Sequence, residues 1–271
     1  MPEGFKSDDF ALLVDAVRGA GAIALHYFNR KLRVWEKAKN NPVTEADIAV
    51  NRYLKARLEA ARPDYGWLSE ENEDDPRRLT KERVWVVDPI DGTRAFMKGT
   101  ADFAISVALV EAGRPRLGVV YRPLRQDLYA AASGCGARLN GEPIHPSDRT
   151  VLDDSRLAGD PGYFRSKKIW PLAWPATRCR NWNSIALRVC FVASGRVDAA
   201  VTLQPKQDWD MAAADLILTE AGGRFDSGEA GPHAYNGPIP RLPRIIATNG
   251  PLHAAVMERV QAAVDKAAMV A

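Results

Sequence analysis

Two aspartates, Asp88 and Asp91, stand three positions apart where the run Val84-Trp85-Val86-Val87 gives way to Pro89, Gly92 and Thr93. β-Branched and aromatic residues favour a buried strand, so both acids fall where that strand leaves the core. Pro89 lacks a backbone donor and Gly92 tolerates left-handed dihedrals, so the chain can bend sharply and aim both carboxylates at one point. Carboxylates held that way repel each other unless a cation lies between them, which is the physical case for a metal site. A turn-and-cap role explains the same pair, since acids before Gly-Thr are common in turns.

Other acids bear on that choice. Glu70 and Glu71 follow Leu68-Ser69 and open an acidic run to Asp75 that reads as solvated surface. The sequence leaves open which of the two would face a metal. Asp210 opens a helical pattern over 209–221, where an aspartate reads first as an N-cap. A helix start also presents free N–H groups and the positive end of the dipole, so metal, phosphate and helix could share one anion site. Thr44 and Asp47 read as a capping box on another helix. The four histidines, His26, His145, His233 and His253, show no ligand spacing and read as surface or satisfied core residues. Ser133-Gly134 and Ser194-Gly195 lack a nucleophile-elbow pattern. Cys135, Cys179 and Cys190 are widely spaced, which points to neither a disulfide framework nor a zinc site and suits reduced thiols in a cytoplasmic setting.

The elements that must carry these groups follow from periodicity. Helical spacing covers 10–28, with Ser7 placed to cap it, and 44–61. A strand is expected over 31–37, and meander strands over 103–111, 116–121 and 128–132, parted by Gly-Arg-Pro and Arg-Pro turns. After about Pro146 the texture alternates: a strand at 157–159, irregular chain over 161–175, a helix at 183–194, a strand at 198–203, the helix at 209–221 stopped by Gly222-Gly223, a strand at 245–248 and a helix at 252–268. The expected organisation is an N-terminal α+β half, 1–146, carrying most of the acids, packed as one compact unit on a C-terminal α/β half, 147–271. With 37 Lys and Arg against 34 Asp and Glu there is no basic stripe, so a nucleic-acid polymer is not an expected partner. The polar N-terminal residues do not read as a signal peptide, and the apolar runs read as too short to span a membrane.

Taken together, Pro42-Val43-Thr44-Glu45-Ala46-Asp47, Ser69-Glu70-Glu71, Asp88-Pro89-Ile90-Asp91-Gly92-Thr93 and Trp209-Asp210-Met211-Ala212-Ala213-Ala214 running into Glu220-Ala221-Gly222-Gly223 resemble the inositol monophosphatase-like superfamily of magnesium-dependent, lithium-sensitive phosphatases. The resemblance implies the layered αβαβα sandwich of the inositol monophosphatase and sugar phosphatase type, built from α+β and α/β parts. It implies two or three Mg²⁺ ions per site: Glu70, Asp88 and the carbonyl of Ile90 around one, Asp88, Asp91 and Asp210 around another. Glu70 and Thr93 would orient the attacking water, and Asp47 would support Thr93. Asp91, Gly92, Thr93, Ser184, Lys206 and Asp210 would contact the substrate, with the N–H groups of Gly92 and Thr93 cradling its phosphate. The implied partner is a small phosphorylated metabolite, and the implied assembly a homodimer.

The substrate reading turns on departures from the inositol-hydrolysing pattern. Leu203 occupies the position of an acid that would bind a polyol's hydroxyls, and Asn183-Ser184-Ile185 replaces a Gly-Ser/Thr-Ala segment. Lys98-Gly99 leading into 102–109, and Gly231-Pro232-His233-Ala234-Tyr235-Asn236, resemble instead the branch that hydrolyses 3'(2'),5'-bisphosphate nucleotides. Trp182, Arg180 and Lys206 could supply a stacking surface and cations for a second phosphate, or Trp182 is core and the two cations solvated. Asp-Gly-Thr-Arg-Ala-Phe also fits a histidinol-phosphate phosphatase. The non-enzyme alternatives are a phosphate-ligand-binding scaffold and a calcium module, whose D-x-D-x-D-G loop is absent.

Overall fold

The structure is a computed structural model that describes residues 3–38 and 41–269. Met1 and Pro2, the first of the polar N-terminal residues, lie outside the described residues. The chain opens with helix α1 (Asp8–Tyr27), capped by Ser7, whose Oγ accepts from the Phe10 amide. A hairpin of β1 (Val34–Ala38) and β2 (Asn41–Thr44) leads into α2 (Glu45–Ala61). Then come β3 (Gly66–Ser69), β4 (Arg83–Asp91), the one-turn helix α3 (Thr93–Met97), β5 (Ala104–Glu111), β6 (Arg114–Arg122), β7 (Asp127–Ala132), β8 (Ala137–Leu139) and β9 (Glu142–Pro143). These seven strands pair in sequence order, all antiparallel except β3 on β4.

The remainder comprises β10 (Arg156–Ala158), α4 (Pro161–Arg165), β11 (Arg178–Arg180), α5 (Ile185–Ala193), β12 (Ala199–Thr202), β13 (Lys206–Gln207), α6 (Asp208–Glu220), β14 (Arg224–Asp226), β15 (Arg241–Leu242), β16 (Ile245–Thr248) and α7 (His253–Ala268). Its five-stranded sheet runs β11-β10-β12-β16-β14. The sheet is mixed: β10 pairs parallel with β11 and β12, whereas β16 runs antiparallel to β12 and β14.

Strand alternation sorts the core into layers, because successive side chains point to opposite faces of a sheet. Trp85 and Val87 of β4 pack with Leu13 and Ala16 of α1 and Val50 and Leu54 of α2. Val84 and Val86 face the other way, onto Leu187 of α5 and Met211 and Ile217 of α6. Ala158, Ala200 and Ala247 close the far side of that helical layer, while Leu157, Val201 and Ile246 turn outward to Val256 and Val260 of α7. The order helices, sheet, helices, sheet, helix is the layered αβαβα arrangement. It explains why β4 is apolar on both faces: it is covered on both.

Several sequence readings are corrected. The stretch 161–175 is not wholly irregular, since Asp160 caps a short helix there through the Tyr163 amide. The short strands β2, β3, β8, β9, β11, β13, β14 and β15 carry too few residues for a periodicity to register. Helix α1 has the length and apolar composition to cross a membrane, against the expectation of no such run. Its Leu13, Ala16, Val17, Ala20 and Ala24 are nonetheless buried in the core.

Candidate active site

A backbone irregularity aims the two strand acids together. Asp88 pairs with Ser106 and Asp91 with Ala104, so three steps along β4 match two along β5. Residues three apart on a regular strand face opposite sides, and the bulge at Pro89 and Ile90 removes that conflict. Asp210 arrives from the start of α6, which lies close on the sheet: a Cβ on Gly118 of β6 would sit 2.9 Å from the Ala213 carbonyl oxygen. One carboxylate oxygen each from Asp88, Asp91 and Asp210 then falls within 4.8 Å of the others.

Each carboxylate is held by a specific device. Asp88 accepts from the Ile90 amide at 3.0 Å across the bulge. Asp91 sits on the N-terminus of α5, accepting from Ser184 Oγ at 2.5 Å, the Ala186 amide at 2.7 Å and the Ile185 amide at 3.2 Å. Asp210 is not the N-cap expected from the sequence but the third residue of its helix, accepting from the Gln207 amide at 2.8 Å. Asp47 repeats the arrangement on α2: its Oδ2 takes the Thr44 amide and hydroxyl, leaving Oδ1 at 3.1 Å from Thr93 Oγ1. At both acids the cap bonds fall on one carboxylate oxygen and leave the other available, so capping does not exclude a place in the site. The Thr93 hydroxyl also lies 3.1 Å from the Ile90 carbonyl oxygen, and its single proton serves one acceptor at a time. Gly92, at φ 98°, turns the chain between Asp91 and Thr93.

Burial, joined by repulsion from neighbouring acids at Asp88 and Asp210, raises all three carboxyl groups above their ordinary range. Asp88 is raised well above the usual carboxylate range by burial, then by the charges of Glu70, Asp91 and Asp210. Asp210 is pushed up to about 7, chiefly by burial, with Lys206 working against the shift and Asp91 and Glu70 adding to it. Burial also raises Asp91, opposed by its hydrogen bonds to Ser184 and Ala186 and by Lys206. Buried anions without cations are costly, and hard oxygen donors converging in this way fit one or more divalent cations.

The sign of the pH effect follows. An acid whose folded pKa is raised stabilises the metal-free fold fully below its unfolded value, and that contribution is lost as pH rises through the folded value. For Asp210 the window runs from 3.8 to about 7. A cation must displace these protons, so its stabilisation grows with pH. The thermal shift given by excess Mg²⁺ is expected to be several degrees larger at pH 8 than at pH 6; an equal shift at both would contradict the assignment.

The remaining sequence candidates separate cleanly. Glu70, one residue past β3, is the glutamate whose charge acts on Asp88 and Asp210, whereas Glu71 lines a groove with Ile48, Asn51 and Arg52 of α2. Lys206 acts on both Asp91 and Asp210. Ser184, expected to touch substrate, is fully buried with its hydroxyl on Asp91 and on the Leu187 amide, so it positions Asp91. Trp182 is core, and Arg180 covers its ring with the guanidinium 4.9 Å from the centroid, which removes the open stacking face. Leu203 packs beside the third apolar cluster, its amide bonded to Tyr163 Oη.

Sequence reasoning missed a clasp behind α6. His233 is the satisfied core histidine expected, but its partners are informative: Nε2 is 2.9 Å from fully buried Asp208, and Nδ1 is 2.6 Å from Glu229. Asp208 also takes the Asn236 amide, and buried Arg78 donates to the carbonyl oxygens of Asn236 and Gly237 while pairing with Asp74. One loop thus ties the start of α6 to the acidic segment after Glu70. His233→Leu is expected to cost about 3 kcal/mol at pH 7, because it strips the fully buried Asp208 carboxylate of its hydrogen-bonded imidazole partner. Urea denaturation measures this; an unchanged midpoint would contradict it.

Two sheets interleaved with three helical layers thus carry a carboxylate cluster where β4 meets the starts of α5 and α6. The profile of the inositol monophosphatase family matches residues 7–266, and the chain belongs to that family, whose members act on small phosphorylated substrates. It is 37% identical over 244 residues to the histidinol-phosphatase of Mycobacterium tuberculosis, covering 85% of this chain and 89% of that protein. It is 30% identical over 226 residues to the inositol-1-monophosphatase of Bacillus subtilis, covering 81% and 85%. The solved Thermotoga maritima IMPase superposes with a TM-score of 0.83 at 31% identity, over 96% of this chain and 99% of that one.

Proposed function

We propose that the enzyme is a Mg²⁺-dependent phosphomonoesterase in which Glu70, Asp88, the Ile90 carbonyl, Asp91 and Asp210 hold two or three ions. The observation that carries this reading is the convergence of Asp88, Asp91 and Asp210 oxygens, from two distant chain segments, within 4.8 Å of one another. When bound, the ions acidify an attacking water and neutralise the charge gathered on the phosphate. The chain's own residues do the rest. Thr93, whose hydroxyl donates to Asp47, accepts a hydrogen bond from the attacking water and, with Glu70, orients it. The amides of Gly92 and Thr93 hold phosphate oxygens, and Lys206 balances charge beside Asp91 and Asp210 without occupying a ligand position.

The proposed substrate is a 3'(2'),5'-bisphosphate nucleotide, adenosine 3',5'-bisphosphate being the test compound. Lys206 supports it as a cation beside the cluster suited to a second anionic group, although Trp182 is withdrawn from stacking. Histidinol phosphate is the second reading, favoured by the 37% identity to a protein of that name. Leu203 cannot accept a hydrogen bond from a polyol hydroxyl, so kcat/KM for inositol 1-phosphate is expected to fall at least about tenfold below that of the preferred ester. Phosphate release from these three esters and fructose 1,6-bisphosphate, with Mg²⁺ and with or without Li⁺, tests both the reading and its rank order. Release from none would leave a phosphate-binding scaffold; inositol 1-phosphate as the best substrate would overturn the specificity argument.

A further inference from the structure

Away from the carboxylate cluster, the structure gathers arginines from separate parts of the chain around one cavity of about 640 Å³. Arg122 ends β6, Arg125 comes from the turn between β6 and β7, Arg156 from β10, Arg178 and Arg180 from β11, and Arg196 from the loop after α5. Asp127 is the only acid in the lining. Guanidinium groups converging on one space repel, so such a cavity persists only where anions compensate it.

The compensation supplied by the protein is incomplete. Asp127 serves both Arg122 and Arg196, at 3.6 and 3.2 Å, and Asp102, outside the lining, meets Arg122 at 3.2 Å. Asp198 pairs with Arg156 and Asp154 with Arg178, from outside the cavity. Arg125 and Arg180 have no carboxylate partner among the described residues. Aromatic floors hold several of these groups in place: Arg180 lies over Trp182, while Arg122 and Arg196 lie 5.7 and 5.4 Å from the Phe191 ring centroid. A guanidinium seated on a ring has already lost much of its freedom, so less is lost when it engages a ligand.

The cavity is separate from the reaction centre. Asp91 sits at the N-terminus of α5, whereas Phe191, Arg196 and Val197 lie at or beyond its other end. Nine residues of helix place those ends roughly 13 Å apart. None of Glu70, Asp88, Asp91 and Asp210 lines the cavity.

We propose that this cavity is a second anion site, taking a compact phosphate-bearing small molecule that bridges Arg125 and Arg180. Planar forked donors match phosphate oxygens two at a time, and the volume falls in the range of small-molecule sites. The cavity needs no divalent ion, which separates its binding from that of the carboxylate cluster.

Calorimetric titration of the full chain with inorganic pyrophosphate in excess EDTA tests the proposal. One equivalent is expected to bind, with affinity falling as salt rises. The Arg125→Ala/Arg180→Ala double variant is expected to weaken it at least about tenfold, and Arg125→Glu alone to weaken it similarly. Asp91→Asn is expected to leave it unchanged, so a failure of the phosphatase reading would not mimic a failure here. Absence of binding, whether from an empty cavity or one covered by a second copy of the chain, overturns the proposal. So does binding that survives both arginine variants or is lost in Asp91→Asn.

Discussion

Asp91→Asn is expected to fold and to lose about 10³-fold in Mg²⁺-dependent phosphate release, ~4 kcal/mol of transition-state stabilisation. The substitution keeps the shape of the side chain. With its carbonyl oxygen in the Oδ2 position it still takes the Ser184 hydroxyl and the Ala186 amide, and only the longer 3.2 Å bond from the Ile185 amide is lost. What is lost is the negative charge that a cation needs. Because burial already raises Asp91, removing its charge relieves repulsion with Asp88 and Asp210 in the metal-free protein. The variant should therefore melt no lower than the parent at pH 8 without metal, and gain much less from Mg²⁺. Steady-state kinetics paired with melting curves separate this from misfolding. Activity within threefold of the parent would refute the proposed role.

The second large effect is expected at Gly92. Its φ of 98° lies in the left-handed region, which costs an L-residue ~1–2 kcal/mol. A Cβ there would also meet the Asp102 carbonyl oxygen at 2.8 Å. That oxygen is backbone and accepts from the Ser184 amide, so moving it disturbs the helix start that grips Asp91. Gly92→Ala is expected to lose about 2–4 kcal/mol of stability and at least about 100-fold in kcat. Urea denaturation and kinetics on the surviving folded fraction measure both. A variant that keeps parental stability would show that the loop has room the geometry denies.

How far the sequence could be read depended on whether a residue's role was local. The strand ending at Asp88 and Asp91, the helices opening near Ser7, Thr44 and Trp209, and the Gly222-Gly223 stop all carry their causes within a few residues. The bulge that turns Asp88 and Asp91 to one side was prepared by Pro89 but depends on pairing with β5. Ser184 was expected to contact substrate, and its bond to Asp91 was not legible because that partner lies 93 positions away. Asp210 looked like a choice between cap and ligand, since a carboxylate's two oxygens cannot be told apart in sequence. Trp182 looked available for stacking because nothing local announces that Arg180 folds over it. His233 and Arg78 were opaque for the same reason: their partners are buried groups supplied by other elements.

The most direct test of the central claim is anomalous diffraction from crystals soaked in Mn²⁺ as a stand-in for Mg²⁺. The account requires two or more peaks bounded by Glu70, Asp88, Asp91 and Asp210, with metal–oxygen contacts near the ~2.1 Å of a magnesium site. Peaks elsewhere, or none at this cluster at pH 8, would contradict it.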